Sequence, residues 1–197
     1  FRSLSRTYPN ITYTDAPKKT PFQFWLSLSR VVRFWVDYVR YQEPEFKAAP
    51  KLTERSRDRV PRPLARFTEW VGRSAAGRRM LTTFLLFVER AIPPDPWVSD
   101  QIRAVDPDLM LVTPLVDIGS DQVDVIKAGV ALGLPTGLCV HSWDNLTTKG
   151  LIRIQPDRVF VWNPGQRLEA AAMHRVPEGN VVVTDRKSTR LNSSHVS

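Results

Sequence analysis

At 197 residues, with 42% apolar and 24% charged side chains, the chain is sized for one well-filled domain of an ordinary soluble globular protein. Its single cysteine, Cys139, excludes a disulfide framework and fits a reducing compartment. No stretch has the length and apolarity of a membrane span or the layout of a signal peptide, and the formal net charge of +8 falls mostly in one segment.

Residues 1–20 read as the end of a helix, a short strand around Ile11 to Tyr13, and a loop carrying Pro17, Lys18 and Lys19. Residues 22–41 give the cleanest helical pattern. Gln23, Ser27, Arg30, Arg33, Asp37 and Arg40 recur at spacings of 4, 3, 3, 4 and 3, one narrow polar stripe on an otherwise aromatic and aliphatic helix. Arg30, Arg33 and Asp37 in its middle exclude a membrane crossing. Residues 44–63 read as a connector rich in charge and proline. Helices are expected over 64–72 and 76–92, the second stopped by Pro93-Pro94-Asp95-Pro96. Between Lys47 and Arg90, eleven Lys or Arg stand against four Asp or Glu, a net of +7. This segment shows no nucleic-acid-binding motif, and its aromatics read as core. A solvated helical face explains most of the charge; the alternative is peripheral contact with an anionic membrane, helped by Phe22, Trp25 and Phe34.

From Trp97 the pattern changes to alternating strands and helices. A short helix over 98–105 leads into an apolar strand over 108–113. A helix follows over 121–132, with Ser120 as N-cap and Gly133 at C′. A strand over 136–140 holds Cys139 as a small buried hydrophobe. After a polar loop comes the strand 158–162. Asn163 then caps a helix with Pro164 at its first position and Gln166 closing a capping box. That helix ends near His174, and residues 180–184 begin a fourth strand. Four apolar strands joined by three crossovers predict an α/β fold, a Rossmann-like parallel sheet (residues 97–184) preceded by a mainly helical, basic segment (residues 22–92).

The tail from Asp185 to His195 back-translates into a read-through adaptor of DNA sequencing libraries, with Val196 and Ser197 from the index that follows. Residues 185–197 are therefore expected to be artefactual and disordered. Without them the chain keeps 25 Lys or Arg and 19 Asp or Glu, a net of +6.

The candidate site is His141-Ser142-Trp143-Asp144-Asn145-Leu146-Thr147-Thr148-Lys149-Gly150, just past the strand 136–140. Ligands of open α/β sheets bind beyond the carboxyl ends of strands. His141, following the last apolar strand residue, is either a satisfied structural histidine or a base for an acceptor hydroxyl. Trp143 reads as a stacking platform or as packing, Asp144-Asn145 as ligand contacts or as a turn, and Lys149 as a phosphate partner or a solvated cation. Ser142 sits in no nucleophile elbow. Gly119-Ser120, opening the helix 121–132, is a second candidate for an anion, or an ordinary N-cap; Asp117 precedes it. His141 and His174 lack metal-ligand spacing, and no metal or cofactor is expected.

The sequence resembles a group of bacterial sugar transferases of the two-domain GT-B fold. There a strand runs into SWDNLT-x-KG, then PDRV-x-VWN, then VVVTG; the matching pieces are Ser142 to Gly150, Pro156 to Asn163 and Val181 to Thr184. The resemblance implies that residues 1–184 are the acceptor-side N-terminal domain. The opening strand and its glycine loop would precede Phe1, and the nucleotide-sugar donor site would lie mostly in a second domain, so the chain alone would be inactive. It implies His141 as base with Asp144 second. Ser142, Trp143 and Asn145 would line the sugar pocket, Lys149 would meet a phosphate, and the acceptor would be a carbohydrate or a lipid-linked sugar. A cytoplasmic enzyme of surface polysaccharide or glycolipid synthesis, at the inner membrane face, follows from the same likeness. CDP-glycerol glycerophosphotransferases are similar at Trp143, Lys149 and Gly150 but carry a His-Gly pair absent here. UDP-N-acetylglucosamine 2-epimerases share the fold, yet this loop supplies few of the carboxylates and histidines that chemistry needs. A non-catalytic binding domain is the third reading.

Overall fold

The computed structural model describes residues 23–113, 116, 120 and 122–184. The expected strand at 11–13, the candidates Gly119 and Asp117, and the tail 185–197 lie outside them. The described chain is mixed α/β, with a four-stranded parallel sheet preceded by helices.

The helices are α1 (Gln23–Arg40), α2 (Pro50–Arg57), α3 (Arg62–Val71), α4 (Ala75–Ala91) and α5 (Pro96–Val105), with a 3-10 turn at Pro44–Phe46. The segment read as a connector thus holds a helix, α2. Pro50 pre-sets its first turn, but Ser56 is its only buried residue, so apolar periodicity has nothing to report. Ser74 caps α4 by accepting from the Gly77 N–H at 3.0 Å, and Asp95 caps α5 by accepting from the Trp97 N–H at 2.9 Å.

The second half contains β1 (Met110–Val112), α6 (Gln122–Ala131), β2 (Thr136–Cys139), the single turn α7 (Asn145–Thr148), β3 (Arg158–Val161), α8 (Pro164–His174) and β4 (Val181–Val183). Gly133 follows α6 at φ 73°, the left-handed turn expected of it. The strands lie in the order β1-β2-β3-β4, all parallel, in register at Leu111 with Gly137, Leu138 with Val159 and Phe160 with Val182.

One face of the sheet is buried. Val112, Leu138, Val159, Val161 and Val181 pack there with Ile126 of α6, Ala170 of α8, and Ile152 and Ile154 of the strand-like segment before β3. On the other face Leu111 is 57% and Val182 37% exposed, and Cys139 and Phe160 between them are half-buried. Cys139 is only partly buried, a correction to its expected burial. Its neighbours along the strand, Leu138 and Val140, are buried in the sheet core, so its own side chain falls on the opposite face beside Phe160.

A second core joins α1 and α4 through Val32, Val36, Val39, Leu81 and Leu85, and it takes in Leu151. Leu151 to Ile154 are all buried between the two cores. Leu151 enters the helical core while Ile152 and Ile154 enter the sheet core.

The C-terminal half of the α1 polar stripe faces inward, while Ser27 and Arg30 are exposed. Arg33, Asp37 and Arg40 are 2%, 1% and 6% exposed, and Phe24 on the same helix is 72% exposed. Arg33 reaches Glu89 of α4 at 2.9 Å and Asp124 of α6 at 2.6 Å. Lys127 of α6 donates to the Glu89 carbonyl oxygen. Burial works against the Arg33 charge, and its bonds to Asp124 and Glu89 outweigh that, leaving its pKa raised. Burial alone dominates at Lys127, whose pKa is lowered.

Candidate functional site

Val140 extends β2 by donating its N–H to the Phe160 carbonyl at 3.0 Å, and the chain then leaves the sheet. Asn145 folds the loop back on itself. Its Oδ1 accepts from the backbone N–H groups of His141 (3.2 Å) and Ser142 (3.0 Å), and the residue is 1% exposed. Its Nδ2 has no hydrogen-bond partner among the described residues. Asn145, expected in a sugar pocket, therefore acts first on its own loop.

Asp144 accepts from the Ser142 hydroxyl on one carboxylate oxygen and from the Thr148 hydroxyl on the other, the latter at 3.1 Å. The Ser142 bond foremost holds this carboxyl below the usual aspartate range. An acid so depressed takes up a proton poorly near neutrality, which weakens Asp144 as a base.

His141 is exposed, and its ring makes no hydrogen bond among the described residues; Trp143 is 74% exposed. Ser142 offers its carbonyl to Gln166 Nε2 of α8 at 3.3 Å. Gln166 Oε1 accepts from the Trp162 N–H at 2.8 Å and its own N–H donates to Asn163 Oδ1 at 2.9 Å. The N-cap expected at Asn163 is thus present, the return bond from Gln166 reaches the Trp162 N–H instead of that of Asn163, and Gln166 braces the loop after β2 against the loop after β3.

The other end of the loop is pinned by α1. Arg40 donates from Nη1 to the Lys149 carbonyl at 2.6 Å and from Nη2 to the Leu146 carbonyl at 2.9 Å. The Tyr41 hydroxyl lies 2.7 Å from the Lys149 carbonyl and 3.0 Å from that of Thr148. These carbonyls are the unpaired C-terminal acceptors of α7, where a cation is favoured. Burial lowers the Arg40 pKa and raises that of Tyr41 to about 12.

His174, 1% exposed at the end of α8, donates from Nε2 to the Leu146 carbonyl at 2.6 Å and accepts the Ile152 N–H on Nδ1 at 3.1 Å. Those two bonds require the neutral ring. Burial first, then the nearby positive charges of Arg40 and Arg153, push its pKa down to about 3.

Beyond Lys149, Gly150 donates its N–H to the Val116 carbonyl at 2.6 Å, which ties the loop after β2 to the loop after β1. Leu151 donates to Asp37 Oδ1 at 2.9 Å, and Arg153 pairs with Asp37 Oδ2. A side chain at 150 would stand 2.9 Å from Arg153 Nη2 and 3.0 Å from Asp37 Oδ2, so the close approach requires glycine.

Of the residues singled out from sequence, His141, Ser142, Trp143, Asp144, Asn145 and Lys149 thus occupy one pinned loop. Ser120 opens α6, its Oγ accepting from the Gln122 N–H at 3.2 Å as an N-cap does. Sequence reasoning missed Asp37, Arg40, Tyr41, Arg153 and His174. The stripe spacing marked Asp37 and Arg40 as polar on a helix but carried no information about their partners.

Two grooves are lined by residues other than 141–150. One, of about 320 Å3, is lined by Val130, Leu134, Pro135 and Asp157; the other, of about 440 Å3, runs between α4 and residues 151–155. Among the described residues no cluster of three or more His, Cys, Asp or Glu could hold a metal ion, and no helix is long and apolar enough to cross a membrane. No protein-family model, curated protein or solved structure matches the chain.

Proposed function

We propose that the chain is the acceptor-side unit of a sugar transferase that uses a nucleotide-activated donor, in surface polysaccharide or glycolipid synthesis. The observation that carries this reading is the division of labour within the loop His141 to Gly150. Its backbone is fixed at both ends by Asn145, Gln166, Arg40, Tyr41 and His174, while the side chains of His141 and Trp143 are left in solvent at the carboxyl end of β2. A rigid backbone presenting an aromatic face and an imidazole is suited to stack on a sugar ring and to accept a hydroxyl proton. The motif likeness over Ser142 to Gly150 and Pro156 to Asn163 supports the same reading.

In this reading His141 is the base that relieves the acceptor hydroxyl of its proton as the sugar–phosphate bond breaks. Asp144, held ionised, fixes the loop and can lend charge to the imidazolium that forms. Trp143 forms the sugar platform, and Lys149 meets a donor or acceptor phosphate. The donor pocket belongs to a facing domain in the fold it resembles.

One observation favours the non-catalytic alternative. Asn145 and Ser142 are spent on the loop itself, which leaves the loop few side chains for chemistry besides His141. Turnover separates the two. The whole reading frame is assayed for nucleoside diphosphate release from nucleotide-sugars in the presence of carbohydrate acceptors. Release that falls about a hundredfold or more in His141→Ala supports the transferase reading. Release within about threefold of wild type removes His141 as base. No release from any donor leaves the binding domain.

A further inference from the structure

The outward faces of α3 and α4 carry a feature that the loop does not use. On α4, Met80, Phe84 and Phe87 are 64%, 55% and 67% exposed. They recur at i, i+4 and i+7, a single stripe on the side opposite the buried Leu81, Leu85 and Glu89. On α3, Phe67 and Trp70 are also exposed, their rings 6.3 Å apart. A helix that is apolar on both its inner and outer faces departs from the usual one-sided pattern, and exposed apolar patches mark interaction surfaces.

The unpaired charge of α3, α4 and the turn between them is positive. Arg62, Arg66, Arg73, Arg79 and Arg90 are exposed and make no ion pair among the described residues. The acidic residues of α3 and α4 are already engaged, Glu69 with Arg57 and Glu89 with Arg33. The helix repeat sets Arg79 and Arg90 on one flank of the Met80–Phe84–Phe87 stripe, and Arg66 beside Trp70. The expectation that the aromatics of this segment are core is thus corrected at Phe67, Trp70, Phe84 and Phe87, and the alternative of membrane contact names Phe22, Trp25 and Phe34 instead. Phe34 packs into the core of Tyr38, Val60 and Ala65, and Phe22 lies outside the described residues.

We propose that the outer face of α3 and α4 docks on an anionic lipid bilayer, with Trp70, Phe84 and Phe87 entering the headgroup boundary and the arginines meeting lipid phosphates. A bilayer supplies uniform negative charge over an apolar interior, which is the complement of this face. Guanidinium groups bind phosphate oxygens through paired N–H donors, and Trp settles at the polar–apolar boundary. The inference stands apart from the sugar-transfer reading, since it uses no residue of the loop.

The test is co-sedimentation of the 197-residue chain with vesicles of phosphatidylcholine alone or mixed with phosphatidylglycerol. Two variants are compared, Trp70→Ser/Phe84→Ser/Phe87→Ser and Arg66→Glu/Arg73→Glu/Arg79→Glu/Arg90→Glu. All seven residues are exposed, and circular dichroism checks that each variant is folded. Binding to the mixed vesicles only, weakened by salt and reduced at least about tenfold in both variants, supports the proposal. Binding to neither vesicle, or equal binding by wild type and variants, overturns it. Self-association of the wild type in the absence of lipid, abolished by the aromatic variant, also overturns it, because the occupant is then a second copy.

Discussion

Arg40 and Lys149 are 109 residues apart in sequence, yet the Arg40 guanidinium donates to the Lys149 backbone carbonyl at 2.6 Å, and its second arm reaches Leu146. The last residues of α1 therefore serve as the C-terminal cap of α7. A helix in the basic half of the chain holds the shape of the loop proposed to face substrate.

Removing that cap is expected to be costly. Arg40→Met takes away the donors to the buried Leu146 carbonyl and the part-buried Lys149 carbonyl and retains the bulk. The expected loss is about 2–4 kcal/mol in urea unfolding, with faster hydrogen exchange at 145–150 before global opening. A loss of less than about 0.5 kcal/mol would show that the contact is idle.

The stability of the fold should fall on mild acidification because of His174. An unfolded histidine titrates near 6.5, and the folded one is held neutral to about 3. Below 6.5 the unfolded chain therefore binds a proton that the folded chain refuses. The histidine's contribution is complete above that pH and drains away as the pH drops toward the folded value. Between pH 6 and 5, unfolding free energy should decline by up to about 1.4 kcal/mol per pH unit from this group. His174→Gln, which does not titrate, should be less stable at pH 7.5 and should flatten the slope in that window. An unchanged slope would refute the assignment.

Asn145 separates loop shape from loop chemistry. Asn145→Ala orphans the His141 and Ser142 N–H groups, and Asn145→Asp keeps an oxygen for them. The alanine variant should lose about 1–3 kcal/mol and show faster motion of Trp143 by fluorescence anisotropy. Aspartate should recover most of the restraint on Trp143. Identical anisotropy in all three proteins would mean that the loop is held from elsewhere.

A methyl group at position 150 has nowhere to go. Gly150→Ala brings a carbon to 3.1 Å of the rigid Val116 carbonyl as well as against Arg153 and Asp37. The expected penalty is about 1–3 kcal/mol. Gly179→Ala, where nothing lies within 4 Å, is the control and should be nearly neutral. Equal melting temperatures for the two variants would contradict the packing described.

The parallel sheet could be read from the chain because its signals are local: apolar strands, Asn163 and Pro164 opening a helix, Gly133 closing another. The position of the loop followed from the strand before it. The helix α2 escaped notice because polar contacts anchor it, such as the Thr53 hydroxyl on the Tyr41 carbonyl at 2.9 Å. The α1 stripe was visible as a pattern, but its meaning lay in Asp124, Glu89, Leu146 and Lys149, 56 to 109 residues away. Asn145 was expected to reach outward. Its carboxamide turns inward because two adjacent backbone N–H groups at a strand end require an acceptor.

The segment Leu151 to Ile154, clamped between the two cores, bears on how the chain reaches its native state. Each core lacks part of its filling until this segment is laid down, and α1 must wait for it across more than a hundred residues of intervening chain. Folding of this kind closes its long loops late and is slow for its size. Both halves should then melt together in a single transition, with the helical half gaining nothing by forming early.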